Sequence, residues 1–199
     1  MAPRSPCHAC HVVSGNGRRP RPRRRAHRPT QPLRTTAVRD PDIQDHLPYF
    51  DRDAASITYD RYYGQRLLDR QGVEAAYPHG FGLSFTRFSI DAAIVEATAP
   101  TVRLRVTLRN AGGRDGRHVV QAYGQRKTGN YAGENLLTGF AVAHVPAGEA
   151  VDVTVDISLL ALAEWDPTTR KRVAPTLTDV TLEVGSHAHD PDAIRVALA

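Results

Sequence analysis

Tyr77-Pro78-His79-Gly80-Phe81-Gly82-Leu83-Ser84-Phe85-Thr86 divides the sequence into an irregular part before it and a regularly alternating part after it. Pro78 fixes its own φ and drives Tyr77 towards an extended conformation, while Gly80 and Gly82 admit backbone angles that a Cβ forbids. The stretch therefore reads as a defined loop. Tyr77, Phe81 and Phe85 recur at four-residue intervals, but the proline and the glycines preclude a stable helix, so the spacing predicts aromatic anchors that pack the loop onto neighbouring structure.

Downstream, about seven strand-like runs separated by turn residues have the spacing of a β-sandwich. Val102, Leu104, Val106 and Leu108 alternate with Arg103, Arg105, Thr107 and Arg109, which gives one buried and one wet face. Asn110-Ala111-Gly112-Gly113 and Asp115-Gly116 supply a turn. Val119 to Tyr123 predicts the next strand, Phe140, Val142 and Val145 another, and Val151, Val153, Val155 and Ile157 a further alternating one after the turn Pro146-Ala147-Gly148-Glu149. Leu159 to Ala163 predicts a short helical corner, Trp165-Asp166-Pro167 the start of a hairpin, Val180 to Val184 a strand, and Ile194 to Leu198 the strand that closes the sheet. Upstream, Asp42 to Tyr77 has a globular composition, with Leu47-Pro48-Tyr49-Phe50, Ile57-Thr58-Tyr59, Tyr62-Tyr63 and Leu67-Leu68, and reads as irregular structure with one or two short strands.

The ten-residue loop resembles the Tyr/Phe-Pro-Phe-Gly-x-Gly-Leu-Ser-Tyr-Thr stretch of glycoside hydrolase family 3, the β-glucosidase and β-xylosidase family. His79 stands where that family usually has Phe, and Phe85 where it usually has Tyr. Ile57 to Gly72 is similar to the segment that precedes this loop in the family, where Tyr-x-x-Gly-x-Arg-x-x-Asp recurs. Downstream landmarks follow in the family's order: Asn110 with its glycine turn, Val119-Val120-Gln121-Ala122-Tyr123, Leu137-Thr138-Gly139-Phe140, Pro146-Ala147-Gly148-Glu149, Leu159 to Asp166, and Val184-Gly185-Ser186 before Asp190. The resemblance covers residues 45 to 199.

This resemblance implies an all-β chain: a fibronectin type III-like, immunoglobulin-like β-sandwich over 87–199, preceded over 42–86 by a short remnant of an α/β second domain and a linker loop. Residues 1–41 are then a disordered basic tail. It implies a parent that hydrolyses terminal β-glycosidic bonds with retention and without a cofactor, and partners in the form of the family's catalytic domains. The fragment would serve as an accessory, bracing domain; the alternative is a free-standing carbohydrate- or protein-binding module.

Retaining hydrolysis needs two carboxyl groups about 5 Å apart. By the resemblance, the nucleophile belongs to a Ser-Asp-aromatic motif on an N-terminal barrel, and no such motif occurs in this chain. The acidic pairs Asp51 with Asp53, Glu164 with Asp166 and Asp190 with Asp192 sit in turn settings, where carboxylates accept hydrogen bonds from local amides. No catalytic residue is therefore expected. Gly82-Leu83-Ser84-Phe85-Thr86 lacks the final glycine of a nucleophile elbow, and Gly80-x-Gly82 lacks the third glycine of a dinucleotide loop. His187 and His189 beside a Gly-Ser turn read as loop histidines with no third metal ligand. Substrate contact is expected from Tyr77, His79 and Phe81, whose rings could stack on a sugar, with Tyr131 a further candidate; ordinary packing is the competing reading.

Charge is unevenly spread. Residues 1 to 39 contain ten arginines and no acidic residue, whereas residues 40 to 199 contain 16 Lys plus Arg against 21 Asp plus Glu. The basic balance belongs to the tail, and the net-acidic body argues against a nucleic-acid groove. Arg18-Arg19-Pro20-Arg21-Pro22-Arg23-Arg24-Arg25 repels itself and buries nothing, so it predicts disorder; the competing reading is an electrostatic arm for phosphates. Cys7-His8-Ala9-Cys10-His11 matches a haem-attachment pattern over five residues, but no apolar pocket or folded unit accompanies it, so an incidental thiol pair is expected and neither a metal nor a cofactor. No window approaches the roughly 18 apolar residues of a membrane span, and no secretory h-region opens the chain, which predicts a cytoplasmic protein without a membrane partner.

Overall fold

A computed structural model of the chain describes residues 51–56, 58, 60–97 and 102–198. The expectations for the tail 1–41, including Cys7 and Cys10, for Leu47 to Phe50, and for Ile57 and Tyr59 fall outside these residues. Among the described residues nine strands follow one short α-helix: α1 (Gln65–Gln71), β1 (Phe88–Ala97), β2 (Val102–Asn110), β3 (Gly116–Arg126), β4 (Leu136–Val145), β5 (Ala150–Ile157), β6 (Glu164–Asp166), β7 (Lys171–Val173), β8 (Val180–Gly185) and β9 (Ile194–Ala197). They form an antiparallel three-stranded sheet β1-β2-β5, an antiparallel four-stranded sheet β4-β3-β8-β9, and a separate β6-β7 hairpin. The expected all-β sandwich is observed.

The core lies between the two larger sheets. Leu104, Val106 and Leu108 of β2 and Val155 and Ile157 of β5 meet Val120 and Ala122 of β3 and Val180, Leu182 and Val184 of β8. The alternation in β2 is realised residue for residue, from buried Val102 to buried Leu108 with Arg103 and Arg105 in solvent. On the wet face Arg103 pairs with Asp156 and Thr107 donates to Asp152 across the β2-β5 ladder. These exposed contacts fix register more than they stabilise, because surface pairs contribute little net free energy.

Three features that the sequence reading left open or missed have local causes. Strand β1 does not stand out in the sequence because the register shifts between Ile90 and Ala92, so a bulge at Asp91 breaks its alternation. In β4, Phe140 and Val142 cannot share a face with Val145, because the separation in sequence is odd; Val145 is buried, whereas Phe140 and Val142 are 62% and 45% exposed. The segment read as irregular with short strands contains α1, which ends at Gly72 in the left-handed conformation with its N–H on Asp69 O and Leu68 O. The helix buries only Leu68, so apolar periodicity was too weak to reveal it.

The expected corner occurs as a 3-10 turn over Leu159–Leu162. Gly139 lets β4 pass close to β5, since a Cβ there would collide with the carbonyl oxygen of Asp156. Thr138, opposite the register shift between Ala122 and Tyr123, donates its hydroxyl to Ala122 O at 2.9 Å, and its own carbonyl accepts from Ser158 N at 2.9 Å. This seam ties the edge of the four-stranded sheet to the end of β5.

The junction loop as candidate functional site

The loop that divides the sequence lies across the outer face of the four-stranded sheet, where its backbone is pinned at both ends. His79 O accepts from Ala188 N at 2.7 Å and lies 3.0 Å from the Tyr123 hydroxyl. Gly80 O accepts from Gln121 Nε2, which also donates to Ser186 O, while Gln121 Oε1 lies 2.7 Å from the Tyr123 hydroxyl. Gln121 and Tyr123 alternate along β3 on the face opposite the core, so both side chains point at the loop. Gly80 has φ 91° and sits so tightly on the Gln121 amide that no side chain fits. Burial pushes the Tyr123 hydroxyl above the ordinary phenol range, so it remains a neutral donor.

At its far end the loop is held by Asn110. This side chain is fully buried and uses its whole capacity: Nδ2 donates to Arg114 O at 2.7 Å and Val145 O at 3.0 Å, and Oδ1 accepts from Thr86 Oγ1 at 2.6 Å and Gly112 N at 3.1 Å. Gln65 of α1 completes the clamp by accepting from His79 N at 3.1 Å. Asp69 accepts from Gln65 Nε2 at 2.7 Å and lies 3.0 Å from His189 Nε2, a contact that raises the pKa of that imidazole.

The aromatic positions behave differently from the anchors expected of them. Tyr77 and Phe85 are 50% and 61% exposed, so the loop is held by its carbonyls and by Asn110 and not by packed rings. Phe81 is half-buried and connects Tyr77 with His187 through tilted ring contacts, each 5.5 Å between centroids. The His79 side chain is exposed. Tyr77, His79 and Phe81 thus fall together on one short stretch, but none lines the neighbouring cleft of about 400 Å3, whose walls include Gln65, Asp69, Pro78, Asn135 and His189. In that cleft Asn135 Oδ1 is a buried acceptor with no partner.

His118, which the sequence reading did not single out, stacks on Phe88 at 4.7 Å between centroids and lies 3.1 Å from Ser186 Oγ. Burial lowers its pKa to about 4, against a smaller opposing influence of Asp190. Asp51, Asp166 and Asp190 make the local contacts expected of turn carboxylates, whereas Glu164 pairs with Arg126 and accepts from Tyr131 N. Asp51 accepts from Asp53 N, Asp166 from Thr168 N and Thr169 Oγ1, and Asp190 from Ser186 N and Asp192 N. The Thr169 and Thr168 bonds hold the Asp166 carboxyl below the usual carboxylate range, the reverse of what a general acid requires. Among the described residues no three His, Cys, Asp or Glu side chains gather as a metal site, and no helix is long and apolar enough to cross a membrane.

Residues 118–188 match the fibronectin type III-like domain family. An exo-α-(1→6)-L-arabinopyranosidase of Bifidobacterium longum is 31% identical over 138 residues, which cover 68% of this chain and 18% of that enzyme. The solved β-glucosidase DesR of Streptomyces venezuelae, in complex with D-glucose, superposes with a TM-score of 0.61 at 31% identity, over 69% of this chain and 18% of its own. The family 3 β-glucosidase of Bifidobacterium adolescentis gives 0.59 at 29% identity, over 69% and 21%. The chain therefore spans about a fifth of the length of these relatives.

Proposed function

We propose, on the premise that this chain carries the C-terminal, fibronectin type III-like part of a β-glucosidase-like glycoside hydrolase family 3 protein, that it braces the catalytic domains of such an enzyme. The parent hydrolyses terminal β-glycosidic bonds with retention, and this part contributes neither nucleophile nor acid/base. The domain limits proposed are 42–86 for the preceding segment and 87–199 for the sandwich. The observation that carries the reading is the double clamp on the junction loop. With His79 and Gly80 fixed on β3 and Thr86 on Asn110, the residues before Tyr77 leave the sandwich in one defined direction. A linker serving only as a tether would need no such fixation.

Bracing of this kind raises catalysis by holding distant groups in place and needs no reacting side chain. The test is nitrophenol release from a panel of nitrophenyl β-glycosides by the purified chain, alone and with a supplied family 3 N-terminal part. Turnover only on complementation is expected; turnover by the chain alone overturns the reading.

A second reading, carbohydrate binding by the chain itself, is favoured by one feature, the cleft beside Pro78 with the unpartnered Asn135 acceptor. Exposed Tyr77, with Phe81 and His79 beside it, would add the stacking surface. Saturable binding of glucose or a β-glucoside, weakened by Asn135→Ala or Tyr77→Ala, is what this reading requires.

A further inference from the structure

A second cavity, of about 310 Å3, is lined by four arginines, Arg61, Arg66, Arg126 and Arg172, together with Tyr131 and Leu162. Arg66 and Arg172 are exposed and solvated, whereas Arg61 and Arg126 are part-buried and depend on carboxylates. Here the neutralisation is partial. Arg61 is paired with Glu134 at 2.6 Å, and Arg126 with Glu164 at 3.2 Å and Asp179 at 3.3 Å. Among the described residues Arg172 contacts only a carbonyl, that of Leu160 at 3.0 Å, and Arg66 has no carboxylate partner.

A further feature suits a ligand. The Arg61 guanidinium lies 3.4 Å from the centroid of the Tyr131 ring, a stacking contact that orients it in advance. Three carboxylates anchor two of the guanidinium groups, leaving two free cations to face the occupant.

We propose that this cavity binds a phosphate monoester, a small phosphorylated molecule whose dianionic head lies between Arg66 and Arg172. A phosphate carries about −1.5 to −2 at neutral pH and presents three acceptor oxygens, so it can engage both guanidinium forks at once, where a single carboxylate has only two oxygens. The volume exceeds what a lone phosphate needs, and Tyr131 with Leu162 offers an apolar wall to the organic part. The site stands apart from the bracing role and does not depend on it.

The test is calorimetric titration of the full chain, at constant ionic strength held with sodium chloride, with inorganic phosphate, glucose 6-phosphate, glucuronate and glucose. Glucose 6-phosphate is expected to saturate, glucose to give no binding heat, and glucuronate to bind at least tenfold more weakly. Arg66→Gln and Arg172→Gln should each weaken glucose 6-phosphate about tenfold without shifting the thermal midpoint, because neither cation is held in an ion pair. Phosphate binding as tightly as glucose 6-phosphate would assign the site to free phosphate, within the same chemistry. Glucuronate binding equally well, no saturation above the chloride background, or unchanged affinity in both variants would overturn the proposal.

Discussion

Asn110 shows how much one buried polar side chain can decide. The sequence marks it only as the start of a glycine turn, yet its four hydrogen bonds join the junction loop, the β2-β3 turn and the end of β4. Asn110→Ala strands the carbonyls of Val145 and Arg114 and the N–H of Gly112, and should lower stability by about 3 kcal/mol or more, read as a fall in urea midpoint at unchanged slope. His118 makes a different residue-scale claim. Its folded pKa, about 4, lies below the unfolded value near 6.5, so the unfolded chain takes up the proton first. Stability from this group is complete above pH 6.5, is lost as pH falls from 6.5 to 4, and amounts to roughly 3 kcal/mol at most. His118→Gln should flatten that part of the pH profile in urea titrations at pH 7 and 4.5. His189 acts in the opposite window: Asp69 raises its folded pKa, so its contribution is complete below pH 6.5 and disappears as pH rises through the raised value.

Elements were legible where alternation ran without interruption, and obscure where a bulge or a clamp intervened. Strands β2 and β5 could be read because every second residue is Val, Leu or Ile over a full ladder. Strand β1 was hidden by its bulge, and β4 was read as a strand without its faces, since Phe140 and Val142 carry apolar side chains into solvent. The junction loop was recognised from its proline and glycines, but the groups that fix it, Gln121, Tyr123 and Asn110, are distant in sequence and give no local signal. Gly80 is the element-scale test. At φ 91° and against the Gln121 side chain, Gly80→Ala adds backbone strain to a collision. It should release the loop before the sandwich, seen as faster amide exchange over residues 77–86 with little change in β2 and β5. Gly139→Ala, which presses on the backbone of β5, should instead lower the stability of the whole sandwich by about 1–3 kcal/mol, measured by the same urea titration.

At the scale of the molecule, the proposed bracing role makes a prediction about the apolar side chains left in solvent. Tyr63, Leu83, Phe85, Phe140, Leu160 and Trp165 are each at least 60% exposed. Leu83 and Phe85 belong to the clamped loop, and Phe140 sits on β4 directly opposite Gln121, the residue that holds Gly80. The loop and the outer face of the four-stranded sheet thus form one neighbourhood, built around the point where the chain enters the sandwich. If catalytic domains dock there, amide exchange over residues 81–86 and 139–143 should slow when a family 3 N-terminal part is added, while the β6-β7 hairpin that carries Trp165 stays unchanged. Phe140→Asp, whose side chain contributes nothing to the core, should leave the isolated chain's urea midpoint within about 0.5 kcal/mol yet abolish the protection and any complemented turnover. Protection confined to the hairpin, or complementation undiminished by Phe140→Asp, would place the catalytic part on another face and remove the role argued for the clamped loop.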